Sequence, residues 1–126
     1  MLIGIGVDIV KIERIGSLLA SAKIHRVFTD DEISEAPSGV TRCSYFAKRF
    51  AAKEACAKAL GTGFVNVLQH TDIMIRKHAS GQPYIVLSTS AASHFQQYYK
   101  GTVHFHLSLS DEKEYAIAFV SAYITP

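Results

Sequence analysis

The stretch that decides the fold is TRCSYFAKRFAAKEACAKALG, residues 41–61. Its periodicity predicts one long helix from Thr41 to Leu60, stopped by Gly61 as the residue after the C-cap. Ala47, Ala51, Ala55 and Ala59 recur every fourth residue on one side. A row of small side chains lets another backbone approach closely, so this helix is expected to be the central one. Phe50, Glu54 and Lys58 share a different face at the same spacing. Two readings of that pair stay open. It is a solvated Glu–Lys pair worth about 0.3–0.5 kcal/mol, or it is charge inside an apolar helix that needs a partner or a metal.

Working outward, Leu2 to Val7 is a short apolar strand ending at Asp8. A carboxylate at a strand end is either functional or the cap of the helix that follows. Ile12–Ala20 reads as that helix, with Ile12, Ile15 and Leu19 on its buried stripe. Thr29-Asp-Asp-Glu32 is a capping box opening a short second helix, and Pro37-Ser-Gly39 breaks it. On the C-terminal side, Thr71–Arg76 and Pro83–Leu87 flank a turn at Ser80-Gly81. Ser90–Tyr99 is helical. Val103–Leu109 and Tyr115–Tyr123 flank a polar turn at Ser110–Glu114. Hairpins rather than regular βαβ units give an α+β class, with an antiparallel sheet packed against the long central helix.

Alternation sorts the strand around residue 106. Val103, Phe105, Leu107 and Leu109 face the core; His104, His106, Ser108 and Ser110 face the other way. That polar row suits phosphate oxygens, or is simply the wet face of a half-exposed strand. No third His or Cys joins the two histidines, which argues against zinc. Gly4-Ile-Gly6 is no dinucleotide fingerprint, and there is no P-loop.

The 126 residues fit one domain spanning 1–126. With 48% hydrophobic and 19% charged residues, a packed core is expected and disorder is not. A net charge of +2 is too mild to argue nucleic-acid binding. A small RNA-binding domain would interleave exposed aromatic and basic residues, whereas Phe105 and Phe119 read as core. No stretch approaches the roughly 20 apolar residues of a membrane span. Cys43 and Cys56 fall about 20 Å apart on one helix, beyond disulfide reach. Free thiols and the lack of a signal segment point to the cytoplasm. Lys11, Arg14, Lys23 and Arg26 crowd the N-terminal quarter and could meet an acidic partner.

Several pieces, in order, resemble the holo-acyl-carrier-protein synthase family of phosphopantetheinyl transferases. They are Gly4-Ile-Gly-Val-Asp8-Ile-Val10, Ile12-Glu-Arg14-Ile15, Val27-Phe-Thr-Asp-Asp-Glu32, Arg49-Phe-Ala-Ala-Lys-Glu54-Ala-Cys-Ala-Lys58-Ala-Leu-Gly61-Thr-Gly63, Ser80-Gly-Gln-Pro83, and His106-Leu-Ser-Leu-Ser110-Asp111 followed by Tyr115-Ala116. The length matches the short, single-domain type rather than the double-length surfactin type. The resemblance implies that type's fold. It also implies transfer of 4'-phosphopantetheine from coenzyme A to a serine of apo acyl carrier protein, with release of 3',5'-ADP. Asp8 and Glu54 match the magnesium carboxylates, and Lys58 the lysine near the transferring phosphate. Gly61, Pro83, His106 and Ser108, with Lys58, match the coenzyme A site. His104, Lys53, Arg49 and Asp111 receive no role. The general base is open, with Glu54 acting through a metal-bound water the first choice. The family implies a homotrimer with sites between subunits. On the Ile12–Ala20 helix, Lys11, Arg14 and Leu18 fall on a face other than the buried stripe, which puts one outward leucine among basic groups. Carrier proteins of this kind are acidic, which makes Arg14, Leu18 and Arg26 the candidate docking residues. The rival reading is a coenzyme A-binding module without catalysis.

Overall fold

The alanine row settles how the chain packs. A computed structural model describes residues 1–65 and 67–126. In it, α4 (Arg42–Leu60) lies across β1 (Leu2–Lys11) and β5 (Tyr115–Thr125). Ala47, Ala51, Ala55 and Ala59 are all buried. Opposite them stand the strand's glycines. A Cβ added at Gly6 would fall 1.9 Å from the Ala55 carbonyl oxygen, and one at Gly4 2.0 Å from that of Ala59. Strand and helix therefore meet backbone to backbone. Gly6→Ala is expected to force them apart and cost about 1–3 kcal/mol or more. Thermal melting that matches the wild type would contradict this contact.

The main sheet is antiparallel in the order β1-β5-β4, with β4 spanning Thr102–Asp111. Asp8 does not end its strand. Pairing continues through Asp8↔Ala118 to Lys11↔Tyr115, so β1 has ten residues rather than the expected six. Polarity alone suggested a stop, but Asp8 sits at a sheet position whose side chain faces α4. A separate two-stranded sheet pairs β2 (Ile73–Lys77) with β3 (Pro83–Leu87), and Gly81 takes φ 93° in the turn. The antiparallel α+β class with a long central helix is what the chain adopts.

The smaller helices are α1 (Ile12–Leu19), α2 (Ile24–Val27), α3 (Asp30–Ser34) and α5 (Thr89–Tyr99). Sequence periodicity missed the four-residue α2, which is too short to repeat. The capping box of α3 is formed: Glu32 N–H donates to Thr29 Oγ1 at 3.2 Å, and Thr29 N–H to Glu32 Oε1 at 2.9 Å. Thr41 belongs to a short 3₁₀ turn that precedes α4. Gly61 closes α4 at φ 81°, a left-handed position that glycine takes without strain.

Each face of the main sheet has its own character. Toward α4 it presents Val10, Ala116, Ala118, Val120 and Ala122, all buried. Outward it presents Ile5, Val7, Ile9, Ile117 and Phe119, each between 39% and 62% exposed. Phe119 is thus no core residue. Its neighbours Ala118 and Val120 point inward, and the period of two turns Phe119 out. That removes one of the two aromatics used against an RNA-binding reading.

Candidate active site

The glycine contact sets the site. Two residues beyond Gly6, Asp8 faces the last turns of α4. Lys58 reaches over from that helix, its ammonium 2.8 Å from the Val7 carbonyl oxygen and 3.4 Å from Asp8 Oδ1. Burial raises the Asp8 pKa above the ordinary carboxylate range; Lys58 opposes that shift and the Glu54 charge adds to it. Glu54 lies one turn before Lys58, with Oε1 3.1 Å from His70 Nε2. Asp8, Glu54 and Lys58, the central trio of the sequence reading, therefore meet. Gly61 follows Lys58 by three residues at the same helix end.

These groups suit a hard divalent cation. Two carboxylates repel each other, and Lys58 is half exposed, its side chain 55% accessible. Among the described residues no three His, Cys, Asp or Glu side chains converge into a closed cage. Magnesium asks for less than a cage: one or two carboxylates, with waters and substrate phosphates completing its shell.

The helix does carry a buried charge, but it is neither Glu54 nor Lys58. Lys53 is fully buried, with its ammonium 2.8 Å from Glu32 Oε1, 3.0 Å from the His70 carbonyl and 2.5 Å from that of Ile73. Glu32 Oε2 accepts from the Ile75 N–H at 2.9 Å. The pair thus ties α3, α4 and β2 together. Burial lowers the Lys53 pKa, and Glu32 works against that. The sequence held a signal for it: Phe46, Arg49, Lys53, Ala57 and Leu60 form a helical stripe, so a lysine sits in a buried row. His70 had no such signal.

The remaining coenzyme A candidates lie elsewhere. Pro83 lines a cleft of about 420 Å³ with Tyr45, Lys48, Arg49, Lys77 and Asp111. In that cleft the Arg49 guanidinium covers the Tyr45 ring at 3.5 Å. Arg49 Nε is buried with no hydrogen-bond partner among the described residues. Lys48 pairs with Asp111 at 3.5 Å. His106 and Ser108 project from the outer sheet face, His106 stacked on Tyr123 at 5.2 Å. Asp8 projects from the opposite face. One chain by itself therefore splits the expected site into three groups.

Of the docking candidates, Arg14 and Arg26 are exposed. Leu18 is not the lone outward leucine of the sequence reading. It is half-buried and packs against the hydrophobic core, as its neighbour Leu19 does.

The chain belongs to the 4'-phosphopantetheinyl transferase superfamily, whose profile matches residues 4–120. Among its relatives, the holo-[acyl-carrier-protein] synthase of Zymomonas mobilis is 41% identical over 127 residues, covering 95% of each chain. The crystal structure of the Neisseria meningitidis holo-[acyl-carrier-protein] synthase is similar at TM-score 0.86 and 37% identity, covering 98% of this chain and 99% of that one. A Bacillus anthracis holo-(acyl-carrier-protein) synthase, solved in complex with CoA (3',5'-ADP), is similar at TM-score 0.82 and 35% identity, covering 99% of both.

Proposed function

We propose that residues 1–126 act as one domain that transfers 4'-phosphopantetheine from coenzyme A to a serine of apo acyl carrier protein. The observation that carries this reading is the meeting of Asp8, Glu54 and Lys58 where β1 crosses α4. The carrier serine oxygen attacks the phosphorus that bears the pantetheine. The bond from that phosphorus to the 3',5'-ADP oxygen breaks with its electron pair left on that oxygen, and the serine proton would pass through a water to Glu54 as general base. Asp8 and Glu54 would hold magnesium, which supplies charge neutralisation at the pyrophosphate. Lys58, anchored by the Val7 carbonyl, adds a positive charge beside it. Glu54 offers Oε2 to a ligand or a proton while Oε1 is engaged by His70. Phosphoryl transfer needs mainly such positioning and electrostatics from the protein.

The test is mass spectrometry of apo carrier protein incubated with this protein, coenzyme A and magnesium. One serine should gain one phosphopantetheine. Coenzyme A binding without any mass gain would favour the non-catalytic module instead.

The working form in this reading is a cytoplasmic homotrimer with sites between subunits. Support comes from the outward apolar face of the sheet, from the free thiols of Cys43 and Cys56, and from the split of the site. Neighbouring copies would cover that face and let one chain's Asp8 group share a site with another's His106 or Pro83 group. No helix is long and apolar enough to cross a membrane among the described residues. Sedimentation that found an active monomer would refute the trimer.

An acidic carrier would meet the exposed Arg14 and Arg26. Arg14→Glu is expected to raise the KM for carrier protein roughly fivefold at low salt, the scale of an exposed charge pair, and to leave the KM for coenzyme A unchanged. Salt should weaken the wild type more than the variant. An Arg14→Glu enzyme impaired for coenzyme A alone would move docking to another face.

A further inference from the structure

Beside Glu54 stands a histidine, His70, that touches no reacting group. His70 opens the short 3₁₀ turn His70–Asp72, which runs directly into β2. It is held at three points. Its Nε2 lies 3.1 Å from Glu54 Oε1. Its ring stacks on Phe64 with centroids 3.7 Å apart and 14° between planes, and faces Phe50 at 5.8 Å and 15°. Its carbonyl accepts a hydrogen bond from the buried Lys53 ammonium at 3.0 Å. An ionised carboxylate only accepts hydrogen bonds, so the shared hydrogen sits on Nε2. Lys53 and Glu54 are adjacent on α4, one fixing the backbone of His70 and the other receiving its side chain. A histidine making a chance surface contact would not be pinned at ring, edge and backbone together.

We propose that His70 is a positioning residue that holds the Glu54 carboxylate in place for the divalent cation by donating Nε2–H to Oε1. The inference rests on the reading of Asp8 and Glu54 as the cation carboxylates and adds a residue to it. A free glutamate turns about three side-chain bonds, and ordering it on binding costs free energy. A donor already in place removes part of that cost. Hydrogen bonds of this kind to metal-ligating groups typically change metal affinity by about 10- to 100-fold.

Two variants separate the hydrogen bond from the stacking. His70→Phe keeps an aromatic ring between Phe64 and Phe50 and loses the donor. His70→Gln keeps a donor and loses the ring. Mn2+ binding to each protein, without coenzyme A or carrier, is read by electron paramagnetic resonance, with melting temperature measured alongside. His70→Phe should melt near the wild type, bind Mn2+ about tenfold more weakly, and raise the KM for Mg2+ more than it lowers kcat. His70→Gln should melt earlier and bind Mn2+ nearly as the wild type does. Unchanged Mn2+ affinity in His70→Phe overturns the proposal, as does a loss in both variants that follows melting temperature. Should His70→Phe not fold, His70→Gln decides: weak Mn2+ binding by the folded protein overturns the proposal, and retained binding supports it. Glu54→Gln is the control. If it loses Mn2+ while His70→Phe does not, only the role of His70 falls. If Glu54→Gln binds Mn2+ as the wild type does, the cation reading falls, and this inference with it.

Discussion

Asp8→Asn and Glu54→Ala should each lower the rate of phosphopantetheine transfer about 100-fold or more while leaving the fold intact. Each removes one of the two carboxylates that would hold the cation, and a bound cation at a transferring phosphate contributes several kcal/mol. For Asp8 the stability effect has a definite sign. Its folded pKa is raised, chiefly by burial, so above that pKa its charge opposes folding. The opposition fades as pH falls through the raised pKa toward the unfolded value. In metal-free buffer at neutral pH, Asp8→Asn should therefore melt no lower than the wild type, and the gap should narrow in acid. Near-normal turnover in either variant at ordinary magnesium would end the metal assignment. An Asp8→Asn protein that melted much earlier would make Asp8 a structural residue.

Lys53→Met should show the largest loss of stability, about 3–5 kcal/mol. It leaves Glu32 buried as an uncompensated anion and takes the donor from the His70 and Ile73 carbonyls. For a chain of this size the melting temperature would fall by about 10–20 °C. Glu32→Gln should also be strongly destabilising, because its single amide oxygen can accept from the Thr29 or the Ile75 N–H but not both, and the amide nitrogen then faces the other donor. A drop of only one or two degrees in Lys53→Met would show that the pair is no keystone. Because Lys53 also holds the turn that carries His70, the variant should lose transfer activity below its melting temperature as well.

Much of this was legible in the sequence, for physical reasons that differ by element. Regular periods give themselves away: the Ala47–Ala59 row, the Thr29–Glu32 capping box and the hairpins were read correctly. The trio Asp8, Glu54 and Lys58 could be named, but not its environment. Polarity was mistaken for a strand end at Asp8, because sequence does not show that a polar side chain has a helix to face. The buried charge was sought at Glu54 and Lys58 and found at Lys53, whose partner Glu32 already had a local task as a capping residue. His70 was invisible because its contacts come from Glu54, Phe64 and Lys53, which no short-range pattern links to it. Phe119 was put on the wrong side, and Leu18 read as more exposed than it is, by the same omission: a face is inside or outside only relative to what covers it.

The contact of Gly4 and Gly6 with the Ala55 and Ala59 carbonyls bears on ion discrimination. Asp8 stands two residues past Gly6, and Glu54 immediately precedes Ala55. Both carboxylates thus hang from backbones in direct contact, which fixes where their side chains begin, while each carboxylate still turns on its own side-chain bonds. Magnesium and calcium differ in radius and in tolerance of irregular shells. If the two carboxylates hold a cation, the fixed backbone spacing limits how far they can separate to admit a larger ion. A methyl group at Gly4 or Gly6 would push the strand off the helix and so widen the spacing from which both carboxylates reach.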